Sequence, residues 1–113
     1  REPLEVSLDF PRMIEGVRKM VKGSLDSLVG QDPRLARDVL AMDDEIDNIN
    51  REMYEVLQKV MRDDPSTVNR AVQLLSASRY LERIADLTTN IAEDVVFMVE
   101  GELIRHSSQT FSE

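Results

Sequence analysis

The sequence has no cysteine, no tryptophan and a single histidine among its 113 residues. Without cysteine there is neither a disulfide framework nor a thiolate zinc site, and this absence favours a reducing compartment. Three Phe and two Tyr are too few to fill an interior. The core is therefore expected to be built from Leu, Val, Ile, Met and Ala.

Positive charge is also scarce. Lysine and arginine number 14 against 22 aspartate and glutamate residues, which gives a formal net charge of −8. A nucleic-acid-binding protein needs surplus basic side chains to contact phosphates, so this balance argues against nucleic acid and favours cations or basic protein surfaces as partners. The longest uncharged apolar run, at residues 95–99, is far too short to cross a bilayer, so no direct membrane insertion is expected.

Helix-breaking residues divide the chain into three segments. Proline follows aspartate within two residues at Asp9–Pro11, Asp32–Pro33 and Asp64–Pro65. Aspartate just before a helix accepts hydrogen bonds from free backbone amides, and proline in the first turn has no amide to leave unpaired. Gly30 stands where the first helix is expected to end. The pattern predicts helices near residues 10–29, 33–62 and 65–106, within a single domain over residues 1–113.

Apolar residues recur every three or four positions in each segment, as on the buried face of an amphipathic helix. The first stripe contains Phe10, Ile14, Val17, Val21 and Leu28. The second contains Leu35, Met42, Ile46, Ile49, Met53, Val56 and Val60. The third contains Leu74, Leu81, Ala85, Thr88, Ala92, Val95 and Val99. Short connections between long helices make neighbours antiparallel, so the expected fold is all-α, an up-down-up antiparallel three-helix bundle with a long third helix.

Each of the last two helices also carries a row of acidic and amide residues at helical spacing. On the third helix the row contains Glu82, Asp86, Asn90 and Glu93. On the second helix it contains Asp43 and Asp47, followed by Asn50 and Tyr54. With about 100° per residue, both rows lie to the same rotational side of their apolar stripes. In antiparallel helices the rows then either converge over the shared groove or point apart, and periodicity leaves both arrangements open.

Two interpretations of these rows follow from spacing alone. Aligned carboxylates are most often a solvated face, and this chain is rich in acidic residues. Against that interpretation, neither row offers a lysine four residues on to pair its carboxylates, as surface helices often do. Oxygen-only ligands would suit a cation such as magnesium, manganese or iron. The sole histidine, His106, is interpreted as a cation near a helix C-terminus rather than as a ligand.

Three stretches resemble segments of the PhoU family, the accessory and regulatory proteins of bacterial phosphate-specific transport. The C-terminal signature of the family resembles LERIADLTTNIAEDVVFMVEGELIRH, residues 81–106. Its other acidic motif is similar to MDDEIDNINREM, residues 42–53, and the opening of a repeat is similar to LDFPRMIEGVRKMV, residues 8–21. Members contain two consecutive three-helix bundles. The resemblance therefore implies that this chain is one PhoU repeat, the C-terminal one, from a longer two-repeat protein.

The resemblance also implies a metal site. In the family the two acidic motifs face each other and bind divalent or trivalent metal ions, in part as multinuclear clusters of iron, zinc, manganese or magnesium. The metal ligands carried over by position are Asp43, Asp47, Glu82, Asp86 and Asn90. Many C-terminal repeats have histidine directly after the motif aspartate, whereas this chain has Leu87.

By the same resemblance, the chain is expected to be a negative regulator of the phosphate regulon and not an enzyme. Its expected partners are the ATPase subunit of the phosphate ABC transporter, a PhoR-type sensor kinase and a second copy in a homodimer. Its expected location is cytoplasmic, peripheral to the inner membrane through these partners. Two alternatives stay open, a helical protein-interaction domain without metal and a metal-dependent phosphohydrolase, although neither a general base nor phosphate-binding residues are evident for the latter.

Overall fold

The computed structural model describes the backbone of residues 9–111 and the side chains of residues 9–101. Helix α1 spans Phe10–Gly30, α2 spans Pro33–Asp63 and α3 spans Val68–Phe111, with one turn of 3₁₀ helix at Pro65–Thr67 before α3. These residues contain no strand. Within the part of the chain that the structure describes, no helix has the apolar stretch that a membrane span needs. The predicted all-α fold with a long third helix is confirmed, and α1 and α2 end within one residue of the predicted positions.

Helix α3 differs from its predicted range at both ends. The prediction was 65–106, but Pro65–Thr67 form a separate 3₁₀ turn and the α-helix continues to Phe111. Asp64 explains the late start, because its carboxylate accepts hydrogen bonds from the backbone amide of Ser66 at 3.1 Å and from its hydroxyl at 2.7 Å. With 44 residues, α3 is more than twice as long as α1, which has 21. It therefore extends well beyond its partners.

The predicted N-terminal cap is correct for α2 and wrong for α1. The carboxylate of Asp32 accepts hydrogen bonds from the backbone amides of Arg34 at 3.1 Å and Leu35 at 3.2 Å. Asp9 makes no such cap with its side chain. Its carboxylate instead accepts a hydrogen bond from the guanidinium of Arg12 at 2.9 Å. A charged donor one turn along the helix has thus replaced the backbone amides.

The end of α1 also differs from the prediction. Gly30 remains helical, and the residue in the left-handed region is Gln31, with φ 50° and ψ 51°. The Gln31 amide donates to the carbonyl of Leu28 at 3.3 Å, and the Asp32 amide donates to the carbonyl of Ser27 at 2.9 Å. These bonds satisfy the last carbonyls of α1 while the chain reverses within two residues. Helix α2 consequently runs back along α1.

The core lies where the three helices meet along the bundle axis. Every residue of the predicted stripes on α2 and α3 is buried or half-buried. On α1 the prediction is wrong in part, because Ile14 and Leu28 are exposed. The buried face of α1 contains Met13, Val17, Met20, Ser24 and Ser27.

Small residues explain why α1 is rotated relative to its apolar stripe. The hydroxyl of Ser24 donates to the carbonyl of Val21 at 3.0 Å, and that of Ser27 donates to the carbonyl of Ser24 at 2.8 Å. Both serines are therefore satisfied within their own helix and can be buried without cost from an unpaired group. Gly16 lets α1 approach α2 so closely that an added β-carbon would lie 2.6 Å from Cδ1 of Ile46. A pattern that counts serine as polar and glycine as neutral cannot identify this face.

Candidate functional site

The two acidic rows converge on the groove between α2 and α3. Asp43 and Asp47 lie one turn apart on α2, and Glu82 and Asp86 lie one turn apart on α3. The charges of Asp47 and Asp86 act on Asp43, and those of all three aspartates act on Glu82. Of the two arrangements that periodicity left open, the structure therefore has the converging one. We call these four carboxylates the acidic cluster.

Crowding makes two carboxyl groups of the acidic cluster harder to ionise. Partial burial, followed by the charges of Asp47, Asp86 and Asp44, raises the pKa of Asp43. Partial burial also raises the pKa of Glu82, followed by a hydrogen bond with Asp47 and the charges of the three aspartates. Asp47 on α2 and Glu82 on α3 are thus neighbours across the groove. Without a counter-ion, the fully ionised cluster is destabilised by repulsion between like charges.

Asn50 connects the acidic cluster to the core. Its amide nitrogen donates to Oε1 of Glu82 at 3.2 Å, and its carbonyl oxygen accepts a hydrogen bond from the buried hydroxyl of Ser78. The same hydroxyl lies 3.8 Å from Sδ of Met13 on α1. The sequence pattern placed Asn50 in the acidic row of α2 but not among the candidate ligands. Its position three residues after Asp47 was the available signal.

One buried oxygen atom of the acidic cluster has no hydrogen-bond partner among the described residues. Oδ1 of Asp43 is buried and accepts no hydrogen bond from the described residues. Buried polar atoms without a partner are rare in folded proteins, and an ion or an ordered water commonly accounts for them. A carboxylate oxygen of this kind is also a ligand type that hard cations prefer. The chemistry of the acidic cluster therefore fits a metal ion.

The side-chain positions, by contrast, do not yet form a coordination shell. Among residues with described side chains, no three Asp, Glu, His or Cys are arranged so that they could hold a metal ion. Binding would require carboxylates of the acidic cluster to rotate towards one another. Asn90, the fifth predicted ligand, is exposed one turn beyond Asp86 and forms no hydrogen bond with the acidic cluster within residues 9–101. The ligand assignment stays a prediction.

Two further residues lie apart from the acidic cluster. Leu87 is displaced from Asp86 by about 100° around α3, in the direction away from α2, and its side chain is exposed. A histidine at this position would thus lie away from the groove between α2 and α3. His106 lies outside the residues whose side chains are described, so its predicted role as a cation at the helix end stays a prediction.

Lowering the pH should relieve the repulsion within the acidic cluster. The pKa values of Asp43 and Glu82 are raised in the folded state above the ordinary values of 3.8 and 4.5. The folded protein consequently takes up these protons first as the pH falls, so the cost of ionisation is present above the raised pKa values and disappears towards the ordinary ones. We expect the unfolding midpoint in urea, measured with a metal chelator, to rise as the pH is lowered towards that window.

The variant Glu82→Gln separates the effect of the acidic cluster on stability from the effects of the other carboxylates. The pKa values of Glu15 and Asp64 are lowered, by hydrogen bonds from Arg18 and Ser66 respectively, so these groups lose stability as the pH falls. The quantity to compare is therefore the difference between the wild type and Glu82→Gln. This difference should shrink as the pH falls, and a difference independent of pH would contradict the prediction.

Known proteins are similar to this chain over the residues that form the three helices and the acidic cluster. Residues 10–95 match the PhoU domain family. A Clostridium acetobutylicum protein named phosphate-specific transport system accessory protein PhoU homolog is 35% identical over 88 residues, which are 78% of this chain and 40% of the relative. Proteins of the same name from Aquifex aeolicus and Pseudomonas aeruginosa are 35% and 36% identical, over 92% and 83% of this chain and 47% and 39% of the relatives.

The chain thus spans less than half the length of these curated relatives. The matched region nevertheless contains α1, α2 and most of α3, including all four residues of the acidic cluster. The PhoU match therefore covers both the fold and the candidate site. On this evidence the chain belongs to the PhoU family.

Proposed function

We propose that this chain is a metal-binding part of an accessory and regulatory protein of phosphate-specific transport. Membership of the PhoU family supports the connection with phosphate transport, since the curated relatives carry that description in their names. The observation that carries the metal-binding part is the acidic cluster itself. Four carboxylates from two helices meet in one groove, and Oδ1 of Asp43 is buried there without a hydrogen bond from the described residues.

In this proposal the acidic cluster, extended by Asn90, holds one or more divalent or trivalent cations such as iron, zinc, manganese or magnesium. A bound cation supplies positive charge that offsets the repulsion among the carboxylates. Other residues of the chain hold the carboxylates in position. Asn50 holds Glu82 through the hydrogen bond at 3.2 Å and is itself held by Ser78, so one wall of the site is anchored in the core.

Neutralising the acidic cluster changes the charge of the face formed by α2 and α3. We assign this face to partner proteins, namely the ATPase subunit of a phosphate ABC transporter and a PhoR-type sensor kinase. The chain would then act in the cytoplasm as a negative regulator of the phosphate regulon, peripheral to the inner membrane through its partners and without catalytic activity. Metal loading would control whether this face accepts the partners.

Removing single carboxylates should test the site. We expect Asp47→Ala and Asp86→Ala each to weaken metal binding at least about tenfold, because loss of even an outer partner of a metal ligand costs about 10- to 100-fold. The measurement is elemental analysis after loading with Mn²⁺, Fe²⁺ or Zn²⁺ and dialysis, together with calorimetric titration. Asp38→Ala is the matched control, since Asp38 is an exposed acidic residue on another side of α2. Unchanged binding in both cluster variants would contradict the proposal.

A helical interaction domain without metal is the second candidate. It is favoured by the absence, among the described side chains, of three residues arranged to hold a metal ion. A bound metal at about 100 times its Kd should stabilise the fold by about 2.7 kcal/mol, which appears as a rise in melting temperature. No such rise with any of the three metals, combined with a loss of partner binding in Asp47→Ala, would favour the metal-free alternative.

A further inference from the structure

Asn50 closes one end of the acidic cluster. It lies three residues after Asp47 on α2, at the end away from Asp43, and its side chain is half-buried. Its amide nitrogen donates to Oε1 of Glu82 at 3.2 Å, and its carbonyl oxygen accepts from the hydroxyl of Ser78. Ser78 and Glu82 are four residues apart, so both lie on the same side of α3. One amide group thus connects a carboxylate of the candidate site to the core.

The chemistry of these two neighbours fixes the orientation of the Asn50 amide. An ionised carboxylate only accepts hydrogen bonds, so the nitrogen of the amide has to face Glu82. The hydroxyl of Ser78 has one proton to donate, and the carbonyl oxygen of Asn50 accepts it. Turning the amide over would place its oxygen against a carboxylate oxygen, which is a contact between two acceptors. The hydroxyl therefore determines which atom of Asn50 reaches Glu82.

Ser78 itself has little freedom to move. Its side chain is 1% exposed, and its hydroxyl lies 3.8 Å from Sδ of Met13, a fully buried residue of α1. A thioether is only a weak acceptor, so it does not compete with the carbonyl oxygen of Asn50 for the proton. Residues of all three helices thus enclose the hydroxyl. A movement of the Asn50 amide would disturb the core on both of its sides.

The bond between Ser78 and Asn50 is not needed to bury a serine in this bundle. Four other helical hydroxyls donate to the backbone carbonyl three residues earlier, and they belong to Ser24, Ser27, Thr88 and Thr89. A buried serine can therefore be satisfied within its own helix. Ser78 donates across to α2 instead. This difference indicates that the hydroxyl positions Asn50, and through it Glu82.

The hydrogen bond from Asn50 limits how Glu82 can bind a cation. Oε1 is held by the amide, which leaves Oε2 as the oxygen that is free to become a ligand. Ca²⁺ takes about six to eight oxygen ligands at about 2.3–2.6 Å, often from carboxylates that bind with both oxygens. Mg²⁺ takes six at about 2.0–2.1 Å, and Mn²⁺ also accepts six oxygens. A carboxylate restricted to one oxygen suits the smaller six-coordinate cations better than Ca²⁺.

We propose that Asn50, oriented by Ser78, is a positioning residue that determines the metal selectivity of the acidic cluster. It restricts Glu82 to binding through one oxygen and so favours Mn²⁺ over Ca²⁺. This inference rests on the proposed metal-binding function and adds the class of cation that the site selects. The outer partners of metal ligands commonly contribute in this way, by fixing the orientation of the ligand before the metal binds.

Calorimetric titration of the chain with Mn²⁺ and with Ca²⁺ tests the proposal. Asn50→Leu keeps a side chain of similar size and removes both hydrogen bonds. It should weaken Mn²⁺ binding about 10- to 100-fold, whereas Ca²⁺ affinity should stay equal or rise, since both oxygens of Glu82 become free. Ser78→Ala should change the ratio of the two Kd values in the same direction without touching the site. Asn48→Leu is the matched control, because Asn48 is an exposed residue of α2 that pairs with Arg51.

The outcomes separate this proposal from the proposed function. Metal binding by the wild type with an unchanged ratio in Asn50→Leu and Ser78→Ala would overturn the positioning role alone. An equal loss of both metals would also overturn it, because a residue that is needed only for the fold weakens every ligand alike. A wild type that binds neither metal would overturn both proposals. Circular dichroism of each variant verifies that the helices are intact.

Nuclear magnetic resonance of the metal-free protein tests the arrangement directly. With a chelator present, the side-chain amide resonance of Asn50 is identified by its disappearance in Asn50→Leu. Glu82→Ala and Ser78→Ala should each shift this resonance, since each removes one of its two hydrogen-bond partners. The control Asn48→Leu should leave it in place. A resonance that neither variant shifts would overturn the proposal.

Discussion

Ile49→Ala should lower the free energy of unfolding by about 3 kcal/mol, while Ile14→Ala should lower it by less than about 1 kcal/mol. The same atoms are removed in both variants, so the difference comes from burial. Ile49 is 1% exposed at the centre of α2, whereas Ile14 is 50% exposed on α1. Truncating a buried side chain loses both its transfer free energy and its packing contacts, because a cavity remains. Truncating a half-exposed side chain loses only part of the transfer free energy.

Urea denaturation of each variant and of the wild type is the appropriate measurement, because it gives the free energy of unfolding of each protein. The pair also tests the rotation of α1. The apolar periodicity of α1 predicted that Ile14 is buried, and in that case both variants should be destabilised equally. Equal losses would therefore contradict the packing described above for α1.

The sequence predicted the helices well because their boundaries depend on local chemistry. The Asp32–Pro33 step combines a side-chain acceptor for free amides with a residue that needs no amide partner, and α2 begins there. Where a competing donor was available the prediction was wrong, since Asp9 pairs with Arg12 rather than with backbone amides. Local patterns thus identify helix ends except where a long side chain can reach the same acceptor.

The buried faces were predictable on α2 and α3 but not on α1, for a physical reason. Met13, Met20, Ser24 and Ser27 are buried because Gly16 and small residues bring α1 close to its neighbours. This depends on contacts between helices, which no single-helix period contains.

The candidate site, too, was predictable where it depends on spacing within one helix and unpredictable where it depends on contacts between helices. Helical spacing identified Asp43, Asp47, Glu82 and Asp86 as two rows, and it could not determine whether the rows meet. Their convergence depends on the hand of the bundle, which is set by the packing of all three helices. The raised pKa values of Asp43 and Glu82 and the hydrogen bond from Asn50 arise only after the rows have met. The spacing along each helix therefore indicates which residues could form a site, and the packing of the helices raises the pKa values within it.

The close approach of α1 and α2 leads to the second large expected effect. Gly16→Val should lower the free energy of unfolding by about 2–3 kcal/mol, because overpacking a tight contact typically costs about 1–3 kcal/mol and valine adds two methyl groups beyond the β-carbon. That β-carbon alone would lie 2.6 Å from Cδ1 of Ile46, whose side chain is 2% exposed. Thermal unfolding of the two proteins gives the difference directly. Gly101→Ala is the opposite control, since nothing lies within 4 Å of its added β-carbon, and it should be neutral or stabilise α3 by up to about 1 kcal/mol.

The contact with Ile46 can be separated from a general effect on the helix. Gly16 and Ile46 both line an open groove of about 270 Å³ between α1 and α2, so the end of the isoleucine side chain has one direction in which it can move. Shortening that side chain with Ile46→Val should therefore restore part of the loss caused by Gly16→Val. A coupling energy of about 0.5–3 kcal/mol is expected for residues in direct contact. Strictly additive effects would mean that Gly16 is needed for the backbone of α1 and not for its approach to α2.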